Sequence, residues 1–577
     1  MKFLMSGNEA VARGAWEAGV DIAAAYPGTP STEILENISK YKDIYSEWSV
    51  NEKVAFEIAY GAAIGGKRAL AAMKHVGVNV ASDALLTAAY TGVNAGLVFI
   101  SADDPGMHSS QNEQDNRNYG RMAQIPILEP SGSQEAKEFT KLALELSEKF
   151  DTPIMLRMTT RICHGKGIVE HKDRQPYEPK PYVKNPQKHV MIPGHARVRH
   201  QVIEQRLKDL QVFAETFSEN KIEIKEKAIG VITSGICYQY VKEALPNASI
   251  FKIGMTYPLP MKSIKKFAKS VDTLYVVEEL DPFFETQIKA AGVDAIGKAI
   301  FPRTGEINPE MIREKILGEK IETKPPQTEL PARPPVMCAG CPHRAVFHVL
   351  KKMKAIVSGD IGCYTLSVLP PLATMDTCVC MGGSVGVAQG LQRALGTNPK
   401  RPIIGVLGDS TFSHSGIPSL VSAVYNKSNI TLIILDNRIT AMTGHQENPG
   451  TGRTLSGEAT HELDFAMLAR SMGVKFVKTL DPINDIKETE KVFREAVAHE
   501  GPSVVIARRP CVLIPESADS KPYEINQETC IQCKICLRIG CPAISMQDGT
   551  VVIDPLLCDG CSLCSEVCPQ DAISQSD

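Results

Sequence analysis

Two runs near the end of the chain, CIQCKICLRIGCP from Cys530 and CDGCSLCSEVCP from Cys558, constrain its folding more than any other feature. Eight of the 16 cysteines lie in them, and each run reads CxxCxxC followed by a fourth cysteine and a proline. Two-residue loops between thiols let three of them wrap one small body, while the fourth has moved on along the chain. The runs differ in one respect. Four residues separate Cys536 from Cys541, and three separate Cys564 from Cys568. Gly540, in the longer insert, can absorb the detour by taking a positive φ. The N-terminal MKFLMSGNEAVARGAWEAG lacks the apolar core of a signal peptide, and no stretch of eighteen apolar residues occurs. A cytoplasmic protein with no membrane span is therefore expected, its thiols reduced and serving as metal ligands or core residues rather than disulfides.

The runs resemble those of two-cluster ferredoxins, in which the fourth cysteine of each run ligates the other run's cluster. That resemblance implies one [4Fe–4S] cluster on Cys530, Cys533, Cys536 and Cys568, and a second on Cys558, Cys561, Cys564 and Cys541. A zinc ribbon is the alternative, since paired CxxC elements also bind zinc.

Ahead of the tail, 577 residues leave room for several domains. Residues 1–190 alternate strand-like stretches (DIAAAY, GLVFIS, TPIMLRM) with helical ones, the rhythm of a parallel α/β sheet. An amphipathic linker helix is expected within 191–225, with Val198, Val202, Ile203, Leu207 and Leu210 on one face. A second α/β segment, 226–320, carries AIGVITSG, SIFKIG and DTLYVVEEL. The Pro-rich stretch 321–335 reads as a linker. A third α/β segment spans 336–515, and the ferredoxin-like tail 521–577. The formal net charge of −3 gives no reason to expect a nucleic-acid partner.

Within the third segment, GDSTFSHSG follows one apolar strand and DNRI the next. Asp409 and Asn437 would then lie at the carboxyl edge of one sheet, where such sheets bind ligands. A carboxylate, an amide oxygen and a backbone carbonyl suit Mg²⁺ that keeps phosphate oxygens as its other ligands. Backbone N–H groups at Gly408 and Ser410, and at Gly382 and Gly383 of MGGSVG, could cradle those phosphates. A lone Gly-Asp is also ordinary turn chemistry, but the pair resembles the diphosphate motif of thiamine-diphosphate (ThDP) enzymes. Ser410 and Asp436 stand where that motif has glycine and asparagine. The resemblance implies that Asp409, Asn437 and the Ile439 carbonyl hold the metal.

Such enzymes also need an acid against the aminopyrimidine ring. Glu52, opening the small-residue helix of NEKVAFEIAYGAAIGG, resembles that acid; it would also serve as a plain first-turn acid. YPGTPSTE at Tyr26 resembles the YPxTP motif of 2-oxoacid:ferredoxin oxidoreductases, which implies that Thr29 meets the substrate carboxylate. Thr29 before Pro30 reads equally as a helix N-cap.

Together with CAGCPHRA at Cys338, these features resemble the large subunits of indolepyruvate:ferredoxin oxidoreductases over the whole length. The resemblance implies several doubly wound parallel-sheet domains of the ThDP-binding fold plus a small two-cluster ferredoxin domain. It implies oxidative decarboxylation of arylpyruvates with coenzyme A, ferredoxin as acceptor, a smaller beta subunit, and a higher oligomer of that heterodimer. It further implies a third cluster on Cys338, Cys341, Cys363 and Cys511, with buried free thiols as the alternative. A non-oxidative ThDP decarboxylase and an electron-transfer subunit serving a catalytic partner remain competing functions. Cys163, Cys237, Cys378 and Cys380 are expected as core thiols, and His108, His343, His414 and His445 as loop histidines able to face a cleft.

Overall fold

The Ile22–Ala25, Ala69–Lys74 and Leu97–Asp103 strands are continuous apolar runs because both faces of their sheet are covered. The computed structural model describes residues 1–320, 334–396, 400–514 and 521–576. The chain divides into two compact units, Met1–Pro325 and Pro326–Asp577. Most of the expected Pro-rich linker lies outside the described residues.

In the first unit a seven-stranded sheet runs in the order Met255–Tyr257, Ile127–Leu128, Ile154–Thr159, Leu97–Asp103, Ala69–Lys74, Ile22–Ala25, Tyr45–Trp48. All pairs are parallel except the one made by the first strand. A four-stranded sheet, Thr273–Val277, Glu226–Thr233, Ala248–Lys252 and Lys221–Glu223, forms the second layer system. The helix joining the two regions runs Pro193–Ala214. Its buried face is Ile203, Arg206, Leu210 and Ala214. Val198 and Val202, expected on that face, are exposed at 61% and 37%. The 3.6-residue period anchored at Ile203 turns both toward solvent.

The second unit holds a six-stranded, all-parallel sheet in the order Met375–Thr377, Ile356–Ser358, Ile403–Gly408, Thr431–Asp436, Ser503–Arg508, Phe476–Leu480. The tail adds two small antiparallel ladders, Tyr523–Ile525 with Ile573–Gln575 and Ile544–Gln547 with Thr550–Ile553. Tail residues Ile539, Ile544, Val551, Leu563 and Ile573 share one apolar core with Phe347, Leu350 and Val357. The thiol-bearing loops are thus fixed against the sheet domain. No helix among the described residues is long and apolar enough to cross a membrane.

Candidate active site and redox centres

Asp409 follows the Ile403–Gly408 strand directly, and Asp436 ends the Thr431–Asp436 strand beside it. Parallel pairing therefore delivers Asp409 and Asn437 to one sheet edge, both buried. Asp409 Oδ1 accepts from the Ser410 amide at 2.7 Å, while its Oδ2 is buried with no hydrogen-bond partner among the described residues. Asp436 Oδ2 accepts from Arg508 Nε at 2.6 Å, and its Oδ1 is likewise orphaned. Burial first, and then the Asp436 carboxylate, push Asp409 up to about 7, with the hydrogen bond from the Ser410 amide opposing. Two buried carboxylates with orphaned oxygens fit a divalent cation, which would supply both the missing ligand and the missing charge. The role of Asp436 was not legible in the motif, where it stands in for an asparagine.

The amides expected to cradle the phosphates all have partners within the chain. Asp360, also missed, accepts from the amides of Gly382 at 2.9 Å and Ser384 at 3.0 Å. The Gly383 amide goes to the Cys380 carbonyl, that of Gly408 to Tyr364 Oη at 2.9 Å, and that of Ser410 to Asp409. All four expected donors are therefore engaged within the chain. Gly382 contributes sterically instead. It has φ +79°, and a Cβ there would lie 2.4 Å from Ser415 Cβ, so only glycine lets the turn before the Gly383–Leu395 helix pass so close.

In the first unit Glu52 opens the Glu52–Ile64 helix, capped by Asn51 Oδ1 on the Val54 amide at 2.9 Å. Its side chain is buried against Gly77, where a Cβ would come within 2.6 Å of Glu52 Cγ and Oε1. Thr29 is half-buried but is not an N-cap. The Ser31 amide closes a turn onto the Gly28 carbonyl, placing Pro30 inside that turn, and the helix starts at Thr32. Lys74 packs against Gly28, donates to the Ser109 carbonyl at 2.6 Å, and is pushed down to about 8 by burial, with Asp104 opposing. A charged residue ending an apolar strand gave no sequence signal for it.

The tail cysteines line two recesses. One is bounded by Cys541, Cys558, Cys561 and Cys564 together with Gly340, Arg344 and Asp559. The other is bounded by Cys530, Cys533, Cys536 and Cys568. Each gathers three thiols of one run and the fourth of the other. Gly540 has φ +70°. Among the described residues no three candidate ligands converge closely enough for a single metal ion; the thiols surround a larger space.

Cys338, Cys341, Cys363 and Cys511 come from three separate segments, yet interact. The Cys363 thiol is pushed up to about 11 by burial and then by Cys511 and Cys338. Cys341 is pushed up to about 12 by burial, with Cys338 and Cys363 adding to it. Cys511 donates its amide to the Asn437 carbonyl at 3.0 Å. Cys163 and Cys237 are buried as expected, but Cys378 and Cys380 are exposed; they lie on the turn leading into the Gly383 helix rather than inside a strand. His343 is buried edge-on to Tyr364 at 5.6 Å, and burial pushes it down to about 4. It is a neutral packing residue. His414 is buried beside Ser415 Oγ at 2.6 Å. His108 is exposed and sits 3.1 Å from Glu306, and His445 adopts a positive φ.

Comparison with known proteins covers the chain from near its start to its tail. Residues 13–228 match the family of pyruvate flavodoxin/ferredoxin oxidoreductase thiamine-diphosphate-binding domains. Residues 225–333 match indolepyruvate oxidoreductase domains. Residues 360–507 match the C-terminal TPP-binding domain of thiamine pyrophosphate enzymes, and residues 551–574 a 4Fe–4S binding domain. The indolepyruvate oxidoreductase subunit IorA of Archaeoglobus fulgidus is 41% identical over 99% of this chain and 97% of its own length. That of Pyrococcus abyssi is 42% identical over 100% of this chain and 97% of its own.

Proposed function

The chain belongs to the indolepyruvate oxidoreductase IorA subunits, thiamine-diphosphate- and iron–sulfur-binding oxidoreductases, and from that premise we propose its reaction, substrates and ligand sets. The reaction joins an arylpyruvate, coenzyme A and two oxidised ferredoxins to give an aryl-acetyl-CoA, CO₂, a proton and two reduced ferredoxins. A smaller subunit completes the enzyme, in a higher oligomer of the heterodimer.

Bound ThDP supplies a nucleophilic carbon and an electron sink. Glu52 holds the hydrogen bond to the aminopyrimidine nitrogen that makes that carbon acidic. Asp409, Asn437 and the Ile439 carbonyl hold Mg²⁺ against the diphosphate, with Asp436 adding charge behind Asp409. Thr29 meets the substrate carboxylate, in a region where Lys74 brings positive charge. The two tail quartets hold one [4Fe–4S] cluster each, and Cys338, Cys341, Cys363 and Cys511 hold a third.

One observation carries this reading. The loops that would grip the cofactor are hydrogen-bonded to the segments that carry the third set of thiols: the Gly408 amide donates to the hydroxyl of Tyr364, the residue after Cys363, and the Asn437 carbonyl accepts from the backbone amide of Cys511. Electrons released at the cofactor would thus meet a one-electron acceptor next to where they arise.

The test is an anaerobic assay of the complex with indolepyruvate and a redox dye, with and without coenzyme A. Dye reduction that requires coenzyme A supports the proposal. Aldehyde without dye reduction would establish a non-oxidative decarboxylase instead. No turnover, with clusters reducible by an external donor, would leave an electron-transfer subunit.

A further inference from the structure

We propose that Arg344 is the charged joint between two cysteine quartets, and that its guanidinium raises the reduction potential of the cluster on Cys541, Cys558, Cys561 and Cys564. This rests on the cluster assignment above.

Arg344 is the second residue of the His343–Lys352 helix and is 2% exposed. Its Nε donates to the Cys338 carbonyl at 3.0 Å, and its Nη2 to the Met337 carbonyl. Its Nη1 donates to the carbonyls of Gly540 and, at 3.3 Å, Ile539. The guanidinium thus ties the Cys338–Cys341 turn to the turn between Cys536 and Cys541. Among the described residues it has no carboxylate partner. A buried cation held only by neutral carbonyls needs anionic compensation. On the side of the tail recess, Arg344 shares the wall with Cys541, Cys558, Cys561 and Cys564.

This placement accounts for the extra residue between Cys536 and Cys541. The short 3₁₀ turn Cys536–Ile539 ends on Gly540 in the left-handed region, φ 70° and ψ 22°. The longer insert thereby presents two consecutive carbonyls to one guanidinium. A Cβ at Gly540 would lie 2.9 Å from Pro371 Cδ and 3.2 Å from Arg344 Nη1, so a side chain at that position would crowd the joint.

One-electron reduction adds one negative charge to a cluster. Arg344, buried at the wall of that recess, stabilises the added charge, and low local polarity magnifies the effect. Asp559 lines the same recess and opposes it. The other tail recess is bounded by the exposed Cys533 and by the exposed Lys534, whose charge solvent screens.

The experiment is a redox titration of the anaerobically purified complex, followed by electron paramagnetic resonance, with iron and labile sulfide counted. Arg344→Gln should move the midpoint of one signal to a more negative potential at unchanged iron content. Arg344→Lys, which keeps the charge, should stay near wild type. Asp559→Asn should move the same signal to a more positive potential. Unmoved midpoints in both Arg344→Gln and Asp559→Asn would overturn the proposal, as would a shift in Arg344→Lys as large as in Arg344→Gln. Should Arg344→Gln lose iron, Asp559→Asn decides alone: a positive shift supports the charge effect, and none overturns it. A wild-type complex without iron would instead overturn the cluster assignment, and this proposal with it.

Discussion

The amide of Cys511 donates a 3.0 Å hydrogen bond to the main-chain carbonyl of Asn437. The bond joins the end of the Ser503–Arg508 strand to the loop after its parallel neighbour, Thr431–Asp436. A thiol more than seventy positions away in sequence is thereby fixed beside a candidate metal ligand. If the Cys338, Cys341, Cys363 and Cys511 set holds a cluster, replacing Cys511 and Cys338 together by serine should lower iron from about 12 to about 8 per chain. Colorimetric iron and sulfide analysis of anaerobic protein reads this directly. An unchanged iron count would leave these residues as core thiols.

Asp409 and Asp436 crowd two carboxylates into one buried space. Asp409→Asn removes one of them, so the protein without cofactor should melt at a higher temperature than wild type. The same change removes a cation ligand and should weaken ThDP–Mg²⁺ binding by at least about 100-fold, abolishing the thermal shift that the cofactor gives wild type. Melting curves with and without ThDP and Mg²⁺ check both signs. A variant that retains the cofactor-induced shift would remove Asp409 from the metal site.

Gly77 leaves Glu52 its place. A methyl at Gly77 would sit 2.6 Å from the Glu52 side chain, and Gly77→Ala should cost about 1–3 kcal/mol of stability through overpacking. It should also depress kcat by displacing the carboxyl group. Glu52→Gln keeps the shape and loses the acid, so it should lower kcat by about 10²–10⁴-fold while leaving ThDP affinity near wild type. The dye assay combined with cofactor titration separates the two effects.

Glu279 lies fully buried in the first unit, where burial pushes its carboxyl up to about 7 from 4.5, with Arg157 opposing. A carboxyl whose pKa is raised by folding favours the folded state below about pH 4.5, and that contribution is lost as pH rises through 7. Glu279→Gln should therefore be more stable than wild type at pH 8 by about 3 kcal/mol, the difference vanishing near pH 4.5. Glu278, also pushed up to about 7 by burial, titrates in the same window, so a residual fall should remain in the variant. Calorimetry across pH 4.5–8 reads the difference.

The sequence by itself determined that thiamine diphosphate and iron–sulfur chemistry belong to this chain. The spacing of ligands on short loops is a local property: CxxCxxC reads as a cluster loop, and Asp409 and Asn437 fall just past two strands whose apolar runs announce them. The parallel sheets were legible for the same reason, because strands buried on both faces must be continuously apolar. The tertiary structure decided what depends on convergence across long chain separations. It brought Asp360 onto the Gly382 turn, set Asp436 against Asp409, buried His343 while exposing Cys378 and Cys380, and turned Gly540 toward Arg344. None of these follows from spacing, because each is fixed by strand order and by which groups folding deprives of water, and both are set only when the whole sheet has formed.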